Sequence, residues 1–105
     1  MSDRDELFAR QRAERGWDDG DTFSLDCTVA KFMLPRLQRY RELTNGFSHP
    51  MHLSGEEWDT ILAKIEFSLT RTITDMEGSV VPKEEWDAWR EGYTLLGTWF
   101  TNLWW

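Results

Sequence analysis

The chain holds one cysteine, three prolines and no apolar run approaching the roughly 20 residues that cross a bilayer. With Cys27 alone, no internal disulfide can form, so stability must come from a packed core, and a reducing cytoplasm is the expected compartment. The opening residues, MSDRDELFARQRAERG, are charged throughout and lack the apolar centre of a signal peptide, which also favours a cytoplasmic protein with no membrane partner. Basic residues are outnumbered, 12 Lys and Arg against 19 Asp and Glu, for a net charge of −7. That balance disfavours adhesion to nucleic acid or an anionic membrane, so direct nucleic-acid binding is not expected. No Gly-rich phosphate loop, zinc-spaced Cys and His pairs or Ser, His and Asp constellation stands in the sequence. Neither catalytic residues nor a cofactor are expected.

What is present suits one folded unit. At 105 residues, 40% hydrophobic and 30% charged, the chain can bury a single core and is not globally disordered. The expected architecture is all-α: a small bundle of three long helices in one domain, residues 1–105, with residues 1–16 as a peripheral N-terminal helix. Seven tryptophans exceed the needs of so small a core, and tryptophan is enriched where surfaces meet partners.

The stretch from Phe23 to Leu43, FSLDCTVAKFMLPRLQRYREL, carries most of the argument. At about 100° per residue, Leu25, Val29, Phe32, Met33, Tyr40 and Leu43 share one arc, which predicts an amphipathic helix burying that arc. Arg36 falls in the middle of the arc, Arg39 beside it and Asp26 at its edge, and charges on a buried face require partners. Asp26 is equally acceptable as an N-cap, as are Asp21 and Ser24. Pro35 removes one backbone hydrogen bond and tends to kink the helix.

Around this stretch, Asp3 to Arg15 reads as a short, highly charged helix whose sizeable apolar residues are Leu7 and Phe8. Arg10, Arg12 and Arg15 read as a solvated basic edge, Gly16 as a helix stop, Asp18 to Asp21 as a turn, and Trp17 as packed on the core. After Leu43, Asn45 and Gly46 end the helix. His49, Met51 and His52 with Cys27 would make only a weak soft-metal group, and no metal site is expected. Ser54 and Glu57 form an S-x-x-E capping box ahead of the stripe Trp58, Ile61, Leu62, Ile65, Leu69, Ile73 and Met76, with Phe67 on the opposite side. Glu77, Gly78 and Ser79 break the pattern, and Pro82 opens the last helix. That helix, Pro82 to Trp105, aligns Trp86, Trp89, Tyr93, Leu96, Phe100, Leu103 and Trp104, leaves Leu95 and Trp99 outside the stripe, and places Gly97 within it, where a neighbouring backbone is expected to come close. An end this apolar is expected to self-associate or enter a partner's groove, with Trp99, Phe100, Leu103, Trp104 and Trp105 as the interface; a homo-oligomer is anticipated.

EEWD occurs twice, at Glu56 to Asp59 and Glu84 to Asp87. The paired E-x-x-D spacings resemble the acidic clusters with which all-α nucleoside triphosphate pyrophosphohydrolases hold magnesium. Both clusters sit in first turns, however, where the helix dipole favours carboxylates but disfavours a cation, and capping explains them without chemistry.

The run FSLDCTVAKFMLPRLQRYREL, then Pro50, GEEWDTILAKI and EGYTLLGTWFTNLWW, resembles a group of small tailed-bacteriophage proteins with a W..LD..IA.FI.PRL.RFK segment, an EEW-initiated helix and an ending similar to GL.LFGKYF.NLW. The likeness runs from Trp17 onward and departs at Thr98 and Trp99, where the group pattern has Lys and Tyr. It implies a phage origin and action inside an infected bacterium, and supplies no site residues.

The expected function is therefore non-enzymatic binding against a host pathway. In one form, Trp17, Asp26, Lys31, Arg36, Arg39, Tyr40 and Arg71 line a cleft that captures an anionic small molecule such as a nucleotide signal, since guanidinium groups bind phosphate and aromatic faces stack on bases. Internal pairing of Arg36 and Arg39 with Asp26, Asp59 or Glu66 is the competing explanation of those charges. In the other form, the acidic, tryptophan-rich surface blocks a host protein, negative charge steering a basic target and the indoles anchoring it. A virion or assembly component is a further alternative, and magnesium-dependent hydrolysis the last.

Overall fold

A computed structural model describes residues 2–45, 48–74 and 82–105. The expected all-α architecture is observed: α1 Asp3–Arg15, α2 Leu25–Thr44, α3 Gly55–Thr74 and α4 Lys83–Trp99, with short 3-10 turns at Asp19–Thr22 and Phe100–Asn102. Gly46, Met76, Glu77, Gly78 and Ser79 lie outside the described residues.

Local chemistry sets the ends of α1. Ser2 Oγ accepts from the Asp5 amide at 3.2 Å, acidic residues fill the first turn, and Arg12 and Arg15 stand in the last, each complementing the helix dipole. Gly16 adopts φ 86°, the left-handed conformation that glycine enters without a Cβ penalty, and its amide closes on the Arg12 carbonyl. No residue of α1 is buried, and among the described residues the helix rests on the following turn, through Arg12 to Asp18 and Arg15 to Asp19 pairs and hydrogen bonds between Gln11 and Asp19. The basic edge is thus partly neutralised. Trp17 does not reach the core: it is half exposed, with the Arg15 guanidinium 3.7 Å above its ring.

The bundle is a single layer with α3 in the middle. Ser54 Oγ accepts from the Glu57 amide and the Glu57 carboxylate accepts from the Ser54 amide, both at 3.0 Å, so the predicted capping box starts the helix. The predicted stripe is the core: Trp58, Leu62, Ile65 and Leu69 are buried together with Ala30 and Leu37 of α2. The helices α2 and α4 flank α3 while their own backbones stay apart, giving extents of 53 × 35 × 20 Å.

Against α3, α2 is turned by roughly 120° from the predicted orientation, taking about 100° per residue. Its inner face is Cys27, Ala30, Leu37 and Thr44, whereas Leu25, Val29 and Phe32 are exposed; Met33 and Tyr40 are half-buried. Small side chains let α2 lie close on α3, and the half-buried Arg41, on the same face, pairs with Asp59 and Glu66. Asp26 is exposed in the first helical turn and is not the N-cap; Ser24 occupies that position. The helix runs continuously through Pro35 and is capped at Asn45.

The close crossing of α4 on α3 is at Gly92, not Gly97. A Cβ at Gly92 would stand 2.3 Å from the Lys64 carbonyl, whereas Gly97 has nothing within 4 Å. A polar seam surrounds this crossing. Ser68 Oγ donates to the Trp89 carbonyl at 2.7 Å, Trp89 Nε1 donates to Thr72 Oγ1 at 3.0 Å, and the Tyr93 hydroxyl meets Thr72 Oγ1. Pro82 caps the helix rather than occupying its first turn. The last helix also ends earlier than predicted, at Trp99, and Trp99 and Leu95 lie inward: Trp99 meets Trp58 edge-on at 5.9 Å, while Phe100 is exposed.

Candidate binding surfaces

The residues expected to form an anion cleft are spread over several places. Trp17 stands at the end of α1, and Arg39 pairs with Glu42 on its own helix at 2.9 Å. Arg71 faces α4, its Nη2 3.6 Å from Glu85, and its Nε has no hydrogen-bond partner among the described residues. Lys31 is exposed on α2. Arg36 and Tyr40 alone of the expected set share a depression, about 240 Å³, with Met33, Leu37 and Leu103. Arg36 is held over the Phe32 ring at 3.9 Å and donates to the Phe32 carbonyl at 2.8 Å.

Neither Arg36 nor Arg39 takes Asp59 or Glu66; Arg41 does. Its Nη2 lies 3.0 Å from Asp59, and Nη1 contacts Glu66. Burial pulls the Arg41 guanidinium down, but hydrogen bonds and charge from Asp59 and Glu66 outweigh it and hold the pKa above its ordinary value. Sequence reasoning passed over Arg41, although it stands four residues after Leu37 on the face that packs against α3. Gln38, Arg41, Glu42, Asn45, Asp59 and Glu66 line an open depression of about 540 Å³. Three carboxylates against one guanidinium make it acidic, hostile to a phosphate and receptive to a basic group.

Three of the six EEWD carboxylates have structural occupations: Glu57 in the capping box, Asp59 with Arg41, Glu85 with Arg71. Glu57 is held below the ordinary carboxylate range by hydrogen bonds from Ser54. Among the described residues no three His, Cys, Asp or Glu side chains gather as metal ligands. Cys27 is buried on the inner face of α2, and Met51 projects into solvent.

Two apolar surfaces remain open. At the C-terminal end, Phe100, Trp104 and Trp105 are exposed, the two tryptophans by 71% and 69%. Leu103 packs inward, and the Tyr40 hydroxyl donates to the Trp104 carbonyl at 3.2 Å, fixing the backbone beneath the rings. Burial raises the Tyr40 pKa; the Trp58 indole N–H lowers it in part from nearby without a well-formed hydrogen bond. The second surface is a groove of about 400 Å³ between α2 and α4, walled by Leu25, Val29, Tyr93 and Leu96, floored by Leu69, with Asp26 on its rim. Sequence reasoning had assigned Leu25 and Val29 to the core and so missed this groove.

No helix among the described residues is long and apolar enough to cross a membrane. Comparison with known proteins finds no matching family model, no similar curated protein and no similar solved structure.

Proposed function

We propose that the chain is a non-enzymatic binding protein of a tailed phage that docks on a host protein in the infected bacterium through its tryptophan-bearing C-terminal end. The observation carrying this reading is the exposure of Phe100, Trp104 and Trp105 within six residues on a segment pinned by Leu103 and Tyr40. Large rings held on an ordered backbone lose little entropy on docking, and an exposed cluster of this kind marks interaction sites. A net charge of −7 and the acidic depression around Arg41 favour a partner whose contact surface is basic. Capture of an anionic nucleotide is the second reading; its support is the shared depression of Arg36 and Tyr40.

Protein purified from infected cells, measured by native mass spectrometry, separates the two. The expected result is a retained host protein that Trp104→Ala with Trp105→Ala releases, and no change in melting temperature across a nucleotide panel. A nucleotide that raises the melting temperature, with the rise abolished by Arg36→Ala, would establish capture instead.

A further inference from the structure

We propose that the groove between α2 and α4 receives α2 of a second copy of this chain, the two helices crossing antiparallel about a two-fold axis near Val29 and Phe32. This face is separate from the C-terminal tryptophans, so the inference stands apart from the host-binding reading.

The first ground is the unpartnered stripe. Leu25, Val29 and Phe32 recur at spacings of four and three along α2, are 58%, 50% and 62% exposed, and follow Phe23, which is 90% exposed. A helix with this spacing buries such a face against another element, and among the described residues none covers it. Beside the stripe runs the groove with Leu69 as floor and Tyr93 and Leu96 as far wall. In an antiparallel pair centred between residues 30 and 31, Phe32 of one copy stands opposite Val29 of the other and can enter that groove. A phenylalanine covered completely from the unfolded chain contributes about 150–250 Å², and only the part still exposed is left for a partner. With Phe32 and Phe23 62% and 90% exposed and Leu25 and Val29 58% and 50%, the face gives up on the order of 400–600 Å² per copy, the size of a weak dimer.

The second ground is charge. The outer side of α2 is acidic in its first turn, with Asp26, and basic in its second half, with Arg36 and Arg39. Arg39 is already engaged by Glu42, whereas Asp26 and Arg36 are both exposed and carry no ion pair to another described residue. They lie about 15 Å apart along the helix at 1.5 Å per residue, so an antiparallel copy sets Asp26 of each chain against Arg36 of the other, twice, on either side of the axis. A parallel arrangement would set like charges together. Self-complementarity of one patch is what a two-fold interface demands. The net charge of −7 on each copy opposes association, but beyond about 8 Å that repulsion is screened at physiological salt.

Sedimentation velocity of the whole chain up to about 200 µM, a range that detects even weak dimers, tests this. The expected mass is twice 12.5 kDa. Val29→Glu should yield a monomer with unchanged helical circular dichroism. Asp26→Arg and Arg36→Asp should each raise the dissociation constant about tenfold, and combining them should restore it to within about threefold, because the pair is re-formed with its sign reversed. Trp104→Ala with Trp105→Ala should leave the dimer intact. A monomer throughout the range, single reversals that weaken association with no recovery in the double variant, or a dimer dissolved by the tryptophan substitutions would each overturn the proposal.

Discussion

Substituting Gly92 by alanine tests the claim that the α3 and α4 backbones meet at that residue. The added methyl would stand 1.8 Å from Ser68 Oγ, 2.7 Å from Ser68 Cβ and 2.3 Å from the Lys64 carbonyl. The hydroxyl can rotate away, at the cost of its bond to the Trp89 carbonyl, worth about 1 kcal/mol. The Lys64 carbonyl is backbone and cannot yield alone, so the helices must separate by about 1 Å, an overpacking cost of roughly 1–3 kcal/mol. Alanine's better helix propensity returns about 1 kcal/mol. The balance is a destabilisation of about 1–3 kcal/mol, lowering the melting temperature by roughly 5–15 °C in a domain of this size. Gly97→Ala is the internal control on the same helix: nothing lies within 4 Å, so the propensity gain stands alone and stability should rise by about 0.5–1 kcal/mol. Urea and thermal unfolding followed by circular dichroism read both. If Gly92→Ala matched or exceeded Gly97→Ala in stability, the close crossing and the polar seam around it would be misplaced.

Three further outcomes follow from the same packing. Arg41→Ala should cost about 1–2 kcal/mol, kept modest because Asp59 is largely in solvent, while Arg39→Ala, losing only an exposed pair with Glu42, should stay within about 0.5 kcal/mol; urea titration distinguishes them. Ser54→Ala should cost about 1 kcal/mol through loss of the cap. The folded-state pKa of Glu57 lies below its ordinary 4.5, so its contribution is present above pH 4.5 and is lost as pH falls through the folded value. Glu57→Gln should therefore flatten the acid limb of a stability-against-pH curve, and an unchanged limb would count against the reciprocal cap.

Legibility varied with how many answers a pattern allowed. The bounds of α1, the Ser54 and Glu57 box and the stripe of α3 were readable because each is a local matter: caps act within four residues, and α3 carries one apolar arc against a polar remainder. The helix α2 carries apolar side chains over more than half of its circumference, and the arc of larger ones through Leu25, Val29 and Phe32 reads as the buried one. Packing chose a different face, since Cys27, Ala30 and Thr44 permit close approach and Arg41 finds Asp59 and Glu66 there. Arg36 was thereby left outside, and Leu25, Val29 and Phe32 became surface. Gly92 and Gly97 are likewise indistinguishable by composition.

The sequence by itself determined an all-α chain, the bounds of α1, the start of α3 and the apolar stripe of α3, because hydrogen-bond capping and a single apolar arc are properties of neighbouring residues. Only the tertiary structure decided which side of α2 faces inward, which glycine meets a backbone and which arginine is bridged. Those outcomes depend on contacts between residues some twenty positions apart, where helix crossing geometry, not local pattern, selects among faces of similar apolarity.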